Sequence, residues 1–514
     1  MAPAKRVLSV ATLLLSAALF ACVDQSSDVT APRPTPSFSS NSQGNGPTAL
    51  DLIETDVDAG VLDKDNANRY RGYAVLAPDK LPARYRSAVI GKDATYSMVQ
   101  MAREWDDLSA STKSEILDLQ ANGFGQLKNT ATTDHFVLHY TTNGSSAVPA
   151  QDSDGNGVSD FIDAAARSWE TVWDREIDQL GYPAPKGTPA QKFHVYYTHL
   201  AYYGYTMPTN VELYATAPVA YGTASAYIVI ENDFYGFPRN DEDKTGLETI
   251  RSGALKVTQA HEFMHAAQFN INVYGSGWLM ESHATWAEDA VYDGINDWHW
   301  YINRFLRTPD YPIFNRYLYG AAFFQNWLSE TRGEDVTRQI WLAHRTQSAA
   351  DAIRNVAFGG SWEGMKDFAA TQYLLGISDF TRDGTSVIPV PVNFVRATYT
   401  SYPVNETVAA STNRVPNRAP WGLGANFVEF AATQVGSLTL TFDGTDGYAW
   451  RAFAIATPKN GGPDSVIPIA LDGASAGSVI VNGFGTRWSK VTLAPTIADR
   501  PGAEVPYAYT AAVQ

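Results

Sequence analysis

The pentapeptide His261-Glu-Phe-Met-His265 carries the most specific chemistry in the sequence. Residues i and i+4 share one face of a helix, so both imidazoles reach a single ion and Glu262 stands beside it. The flanking sequence LKVTQAHEFMHAAQFNI contains neither Pro nor Gly and predicts a helix through the motif. The competing reading is a helix whose two histidines are hydrogen-bonded core residues. Chance is a poor explanation, because nine histidines in 514 residues would produce HExxH only about 0.01 times. A catalytic zinc takes three protein ligands and a water, so a third ligand is expected downstream. Zinc held this way polarises the water, and Glu262 is placed to take its proton during attack on a carbonyl carbon. The longer motif HExxHxxGxxH is excluded, since Gln268 and Ile271 stand where it requires Gly and His.

Downstream lies Trp278-Leu-Met-Glu-Ser-His-Ala-Thr-Trp-Ala-Glu288. Here the sequence resembles the gluzincin metallopeptidases, which carry HExxH on one helix and a Glu on the next, often within W-L-x-E-G-x-A. The resemblance makes Glu281 the third zinc ligand. Glu288, two helical turns further on the same face, matches a second carboxylate of such segments and suits support of a ligand. Ser282 replaces the usual Gly, and the next residue, His283, is an extra imidazole that could compete as a ligand or simply pack beside the site. Gluzincins take a further oxyanion donor from a Tyr or His outside the motif. Tyr319, in Tyr317-Leu-Tyr-Gly-Ala-Ala-Phe-Phe324, is the candidate, with a packed aromatic as the alternative. The order of parts also resembles a group of exported or lipid-anchored bacterial metallopeptidases. The resemblance implies an α+β zincin-like domain, a small sheet plus a helical subdomain, spanning 131–385, and a protein or peptide substrate.

A second motif, Asp152-Ser-Asp-Gly-Asn-Gly-Val-Ser-Asp-Phe-Ile-Asp163, has the spacing of a calcium loop. Asp152, Asp154, Asn156, Asp160 and Asp163 supply side-chain oxygens at positions 1, 3, 5, 9 and 12, the Val158 carbonyl falls at position 7, and Gly157 allows the sharp turn. Asp163 replaces the usual bidentate Glu, which implies a modest affinity. An acidic turn without metal is the alternative.

The elements that must position these residues change in texture along the chain. Residues 49–130 read as a helical segment, either a pro-region or a brace, with Thr112–Glu115 resembling a capping box. His135–Tyr140, Lys192–Tyr197 and Ala226–Ile230 alternate as strands, with a helix expected over Phe161–Leu180. From about 245 to 376 the pattern is helical, with a second capping-box candidate at Thr245–Glu248. Phe427–Phe430, Ser437–Phe442, Ser478–Val481 and Lys490–Leu493 predict a β-sandwich over 390–514.

The chain starts with basic Lys5 and Arg6 and an apolar run, Val7–Phe20, which is too short to span a bilayer and suits a signal peptide over 1–21. Leu19-Phe20-Ala21-Cys22 resembles a bacterial lipobox. Cys22 is the single cysteine of the chain, which fits acylation there and excludes a thiol protease. Residues 22–48, rich in Ser, Pro and Gly, read as a flexible tether. The expectation is a bacterial cell-envelope lipoprotein, held to a membrane by its lipid alone, with the outer membrane favoured by Val23, or a secreted form. A net charge of −16, from 54 acidic and 38 basic residues, argues against a nucleic-acid partner. Three rival readings remain: a mucinase-like glycoprotein protease with Trp421, Trp450 and Trp488 on a carbohydrate-binding face, a non-catalytic surface-binding lipoprotein on a protease scaffold, and a latent zymogen if residues 49–130 cover the cleft.

Overall fold

The computed structural model describes residues 46–214, 221–240, 242, 251–306, 308–315, 317–373, 406–409, 412–414, 418–462, 464–499 and 503–514. The expected signal peptide, Cys22, the tether as far as residue 45 and the capping box at Thr245–Glu248 lie outside these residues. No helix among the described residues is long and apolar enough to cross a membrane. The protein is of mixed α and β structure with an all-β C-terminal region, in two compact units. Among the described residues, the first takes in 46–298 and Glu334–Ala352, and the second His299–Gly333 and Ile353–Gln514. The first therefore joins the N-terminal segment to the HExxH motif. The second joins 299–333 and the residues after 352 to the C-terminal strands.

The first unit is built on a mixed six-stranded sheet. In chain order its strands are β1 (Gly91–Asp93), β2 (Asn129–Thr132), β3 (Phe136–Tyr140), β4 (Phe193–Thr198), β5 (Tyr202–Tyr214) and β6 (Tyr221–Glu231). In space they run β1-β5-β6-β4-β3-β2. The three strands expected from alternation correspond to β3, β4 and part of β6. The sheet is larger than the small one expected, because β5 and its partner β1 had no clear alternation. The helix expected after β3 is α5 (Asp160–Trp173), prolonged by a π-helical turn at Asp174–Gln179.

One core joins the sheet to α5 and the HExxH helix: Phe136, Leu138, Trp169, Val195, Ile228, Ile230 and Phe263 are all fully buried. The opposite face, through Tyr202, Tyr205, Met207 and Val229, packs against the N-terminal helices α1 (Ala49–Asp58), α2 (Lys64–Leu76), α3 (Thr95–Glu104) and α4 (Ala110–Phe124). Thr48 opens α1 with a capping box to Asp51. The box expected at Thr112–Glu115 is displaced: Ser109 caps α4, accepting the Thr112 N–H, and Thr112 lies inside the helix.

In the second unit nine strands among the described residues form one sheet, joined at Phe484 opposite Trp488, whose two halves share a core. One contains β11 (Trp450–Pro458), β12 (Ser465–Ile469) and β14 (Trp488–Ile497), with β9 (Val428–Ala431) on β14 and β7 (Glu406–Ala409) on β9. The other orders β13 (Ala476–Phe484), β10 (Gly436–Gly444), β15 (Tyr507–Val513) and β8 (Thr412–Arg414). Leu440, Phe442 and Tyr509 from one group meet Ala454, Leu493 and Phe430 from the other.

Candidate metal centre

Two consecutive helices position the centre: α6 (Ser252–Asn272), which carries HExxH, and α7 (Gly277–Val291). Phe263 fixes the rotation of α6. Its ring sits among those of Phe136, Trp173, Phe193 and Trp169, at 5.3, 5.7, 5.8 and 6.1 Å. Two residues away, at about 200° around a helix, His261 and His265 are turned away from that aromatic cage. Burying Phe263 this way is worth about 3–5 kcal/mol relative to Ala.

His261 Nε2 lies 3.1 Å from His265 Nε2, and Glu281 Oε2 lies 3.4 and 3.6 Å from them. All three residues are buried. The remaining ring nitrogens fix the tautomers. His261 Nδ1 donates to Glu288 Oε1 at 2.8 Å. His265 Nδ1 donates to Gln268 Oε1 at 2.9 Å, and Gln268 is oriented by its own amide N–H bond to the Met280 carbonyl at 3.2 Å. Both Nε2 atoms therefore present lone pairs to each other, and both Glu281 carboxylate oxygens lack a hydrogen-bond partner. Three electron-rich atoms facing one another in a dry interior are unfavourable without a cation between them. A tetrahedral ion with bonds of about 2.0–2.1 Å sets its ligand atoms about 3.3–3.4 Å apart, close to the observed triangle. Burial lowers the pKa of both histidines, which keeps the rings neutral, the form that ligates.

Asp93 joins this group: one of its carboxylate oxygens lies within 4.8 Å of the ligand atoms of His261, His265 and Glu281. This is the one such cluster of His, Cys, Asp or Glu among the described residues, and it could hold a metal ion. Asp93 gave no signal in the sequence, because it stands alone in the N-terminal segment. Its neighbours were equally silent. Thr95 Oγ1 lies 2.7 Å from Asp93 Oδ1 and 3.0 Å from Glu262 Oε2, and accepts the Thr206 N–H at 2.8 Å. Thr206 Oγ1 donates to Glu262 Oε2 at 2.7 Å. Burial first, and then the nearby Asp93, push the Glu262 carboxyl well above the usual carboxylate range.

Glu288 bridges from His261 to Lys92, whose Nζ lies 2.9 Å from Glu288 Oε2 and 2.6 Å from Asp297 Oδ2. Burial alone would lower the Lys92 pKa, but these two carboxylates outweigh it and raise the value. His283 is not part of the cluster. Its Nε2 pairs with the Tyr182 hydroxyl at 2.6 Å, its Nδ1 faces Gln268, and burial lowers its pKa to about 3. Its place is behind Gln268, two steps from His265.

Tyr319 belongs to the second unit, buried just before the helix Ala322–Arg332, with the rings of Tyr301 and Tyr317 at 5.4 and 5.8 Å. Two of the three tryptophans expected on a carbohydrate-binding face are core residues instead. Trp450 and Trp488 are 2% and 6% exposed, and their indole N–H groups donate to the Thr445 and Asn482 carbonyls. Trp421 is partly buried.

The acidic loop leads into α5 on the surface of the first unit. Asp152 accepts the N–H groups of Gly155, Asn156 and Gly157, and Asp160 accepts the N–H and hydroxyl of Ser153. The Asn156 amide reaches Asp154 and Asp163 at 3.2 and 2.9 Å. Gly157 has φ +87°, the left-handed turn that the spacing requires at this position.

No protein-family model matches the chain, and no curated protein matches its sequence. Among solved structures, it is similar to the pre-peptidase C-terminal domain of collagenase from Bacillus anthracis at 9% identity and a TM-score of 0.17, over 22% of this chain and 99% of that one. It is also similar to a family GH115 4-O-methyl-α-glucuronidase with specificity for decorated arabinogalactans, at 11% identity and a TM-score of 0.14. The second match covers 51% of this chain and 30% of the glucuronidase. Likenesses this weak assign neither fold nor activity.

Proposed function

We propose that the chain is a zinc-dependent peptidase of the gluzincin type, with a zincin-like fold in its first unit. The observation that carries this reading is the buried triangle of His261 Nε2, His265 Nε2 and Glu281 Oε2, with edges of 3.1, 3.4 and 3.6 Å, beside a carboxylate. A divalent ion bound there supplies Lewis acidity, lowering the pKa of a water and polarising a carbonyl. Glu262 is the group that accepts the water's proton and passes it to the leaving amine. Glu288 and Gln268 hold the two imidazoles in the ligating tautomer, and Lys92 holds Glu288. Tyr319 remains the proposed oxyanion donor on the strength of the sequence resemblance alone.

Calcium in the 152–163 loop belongs to the same proposal, supported by the left-handed Gly157 and the inward-gathered Asp152. So do export and lipid anchoring at Cys22, which rest on the sequence of the first 22 residues. The mucinase-like alternative loses support with Trp450 and Trp488 in the core. A second reading is favoured by one observation. Asp93 beside three other ligand candidates suits a closed four-ligand site, the arrangement of structural zinc, and would fit a non-catalytic lipoprotein.

The test is zinc content and casein hydrolysis by residues 23–514, before and after mild tryptic nicking, beside Glu262→Gln. The proposal expects zinc in both proteins and hydrolysis only with Glu262 intact. Absence of zinc from both, or hydrolysis indifferent to Glu262, would overturn it.

A further inference from the structure

We propose that Asp93 is the fourth ligand of the metal and that its strand occupies the place of an extended peptide substrate, so that this fold is a latent form of the enzyme. The inference rests on the peptidase reading and adds its regulation. Three features meet in residues 91–95.

The first is the ligand position. A catalytic zinc leaves one position open for water, whereas a closed site fills all four. Asp93, from the N-terminal segment, offers a carboxylate oxygen within 4.8 Å of all three other ligand atoms and is 1% exposed.

The second is the sheet edge. β1 is only three residues long and pairs in parallel with β5, Gly91 opposite Tyr202 and Asp93 opposite Gly204. The Gly91 N–H donates to the Ala201 carbonyl at 2.9 Å and the Ala94 N–H to the Gly204 carbonyl at 3.2 Å. Backbone bonding of this kind is how a sheet edge captures an extended peptide. Gly204 is also the residue that backs onto the base: a Cβ there would lie 3.0 Å from Glu262 Oε1. The stretch of edge beside Glu262 is therefore already occupied by the protein's own chain.

The third is the base itself. Thr95, two residues beyond Asp93, brings its hydroxyl to Glu262 Oε2 at 3.0 Å. One short segment thus fills the fourth ligand position, covers the edge strand and engages the general base. A site that only ever served structure would have no use for Glu262, a carboxylate that is not among the four ligand candidates. Turnover requires residues 91–95 to leave, and the Lys92 bonds to Glu288 and Asp297 are the latch that holds them.

The experiment uses residues 23–514 loaded with cobalt(II) in place of zinc, azide as the probe for an exchangeable position, and the visible d–d bands as readout. Wild-type protein should show no band shift with azide. Asp93→Ala should shift, and should gain casein hydrolysis over wild type that is lost when Glu262→Gln is added. A second variant acts on the strand without touching a ligand. At Gly91 a Cβ would come within 2.3 Å of the buried Tyr202 ring, so Gly91→Val should pry β1 from β5 and produce the same two changes. An azide shift in the wild type would overturn ligation by Asp93, and needs no variant to fold. Azide shifts in the variants without any gain of hydrolysis would overturn latency and leave a structural site. Failure of both wild type and Asp93→Ala to bind cobalt at all would overturn the underlying metal reading instead.

Discussion

Replacing Lys92 by Met keeps most of its apolar stem and removes the charge that sits between Glu288 and Asp297. Both contacts are short, 2.9 and 2.6 Å, and every side chain involved is 1% exposed. The variant would leave two carboxyl groups buried without their cation. Breaking a buried ion pair by removing one partner costs about 3–5 kcal/mol, and here a single lysine serves two acids, so the upper half of that range is expected. For units of about 150–250 residues each kcal/mol lowers Tm by about 2–4 °C, giving a drop of about 8–20 °C. Thermal unfolding followed by circular dichroism, with urea unfolding as a check that the m-value is unchanged, measures it. The double variant Lys92→Met, Asp297→Asn should recover part of the loss, because the second change removes one of the stranded charges. A Lys92→Met protein within about 1 kcal/mol of wild type would refute the claim that this triad anchors β1 to α7.

Further outcomes follow from other contacts. Gln268→Ala, which frees His265 Nδ1, should weaken zinc binding about 10–100-fold in a chelator competition. Glu231, at the end of β6, has a carboxyl pushed up to about 7 by burial, against the opposing pull of His199 and the Leu200 N–H. Its raised pKa contributes stability below the unfolded value near 4.5, and this is lost as pH rises through about 7, to the extent of roughly 3 kcal/mol. His199, raised by the same pair, acts in the same sense. Glu231→Gln should flatten the fall in urea-unfolding stability between pH 4.5 and 7. Calcium at a hundredfold excess over its Kd should stabilise the protein by about 2.7 kcal/mol, seen as a rise in the melting temperature of the first unit. Asp152→Ala should abolish that rise.

The readable part of the site was local. His261, Glu262 and His265 fall within five residues on one helix, so their spacing alone states their geometry. Glu288 was placed beside the ligands by its seven-residue step from Glu281 along α7. Asp93, Thr95 and Thr206 come from three other elements, β1, the start of α3 and β5, and no short-range spacing links them to the motif. The strand that joins them was hidden as well. The first seven residues of β5 are all buried, which erases the alternation of a one-sided strand, and Gly204 and Pro208 interrupt its sequence. β11 escaped notice for the same reason, with five consecutive buried residues after Arg451. Trp450 and Trp488 show the limit of residue type: an indole reads equally as a binding platform or a core filler until its N–H partner is known. His283 stood next to Glu281 in sequence but a step outside the cluster in space, since adjacent helical residues point about 100° apart.

The central claim is that His261, His265 and Glu281 hold one metal ion, and the most direct measurement is the zinc content of the purified protein after exhaustive dialysis, beside His265→Ala. The account predicts about one zinc per chain in the wild type and its loss in the variant, since removing one imidazole ligand leaves the site too weak to keep zinc through dialysis. Wild-type protein devoid of zinc, or His265→Ala retaining it in full, would contradict the account.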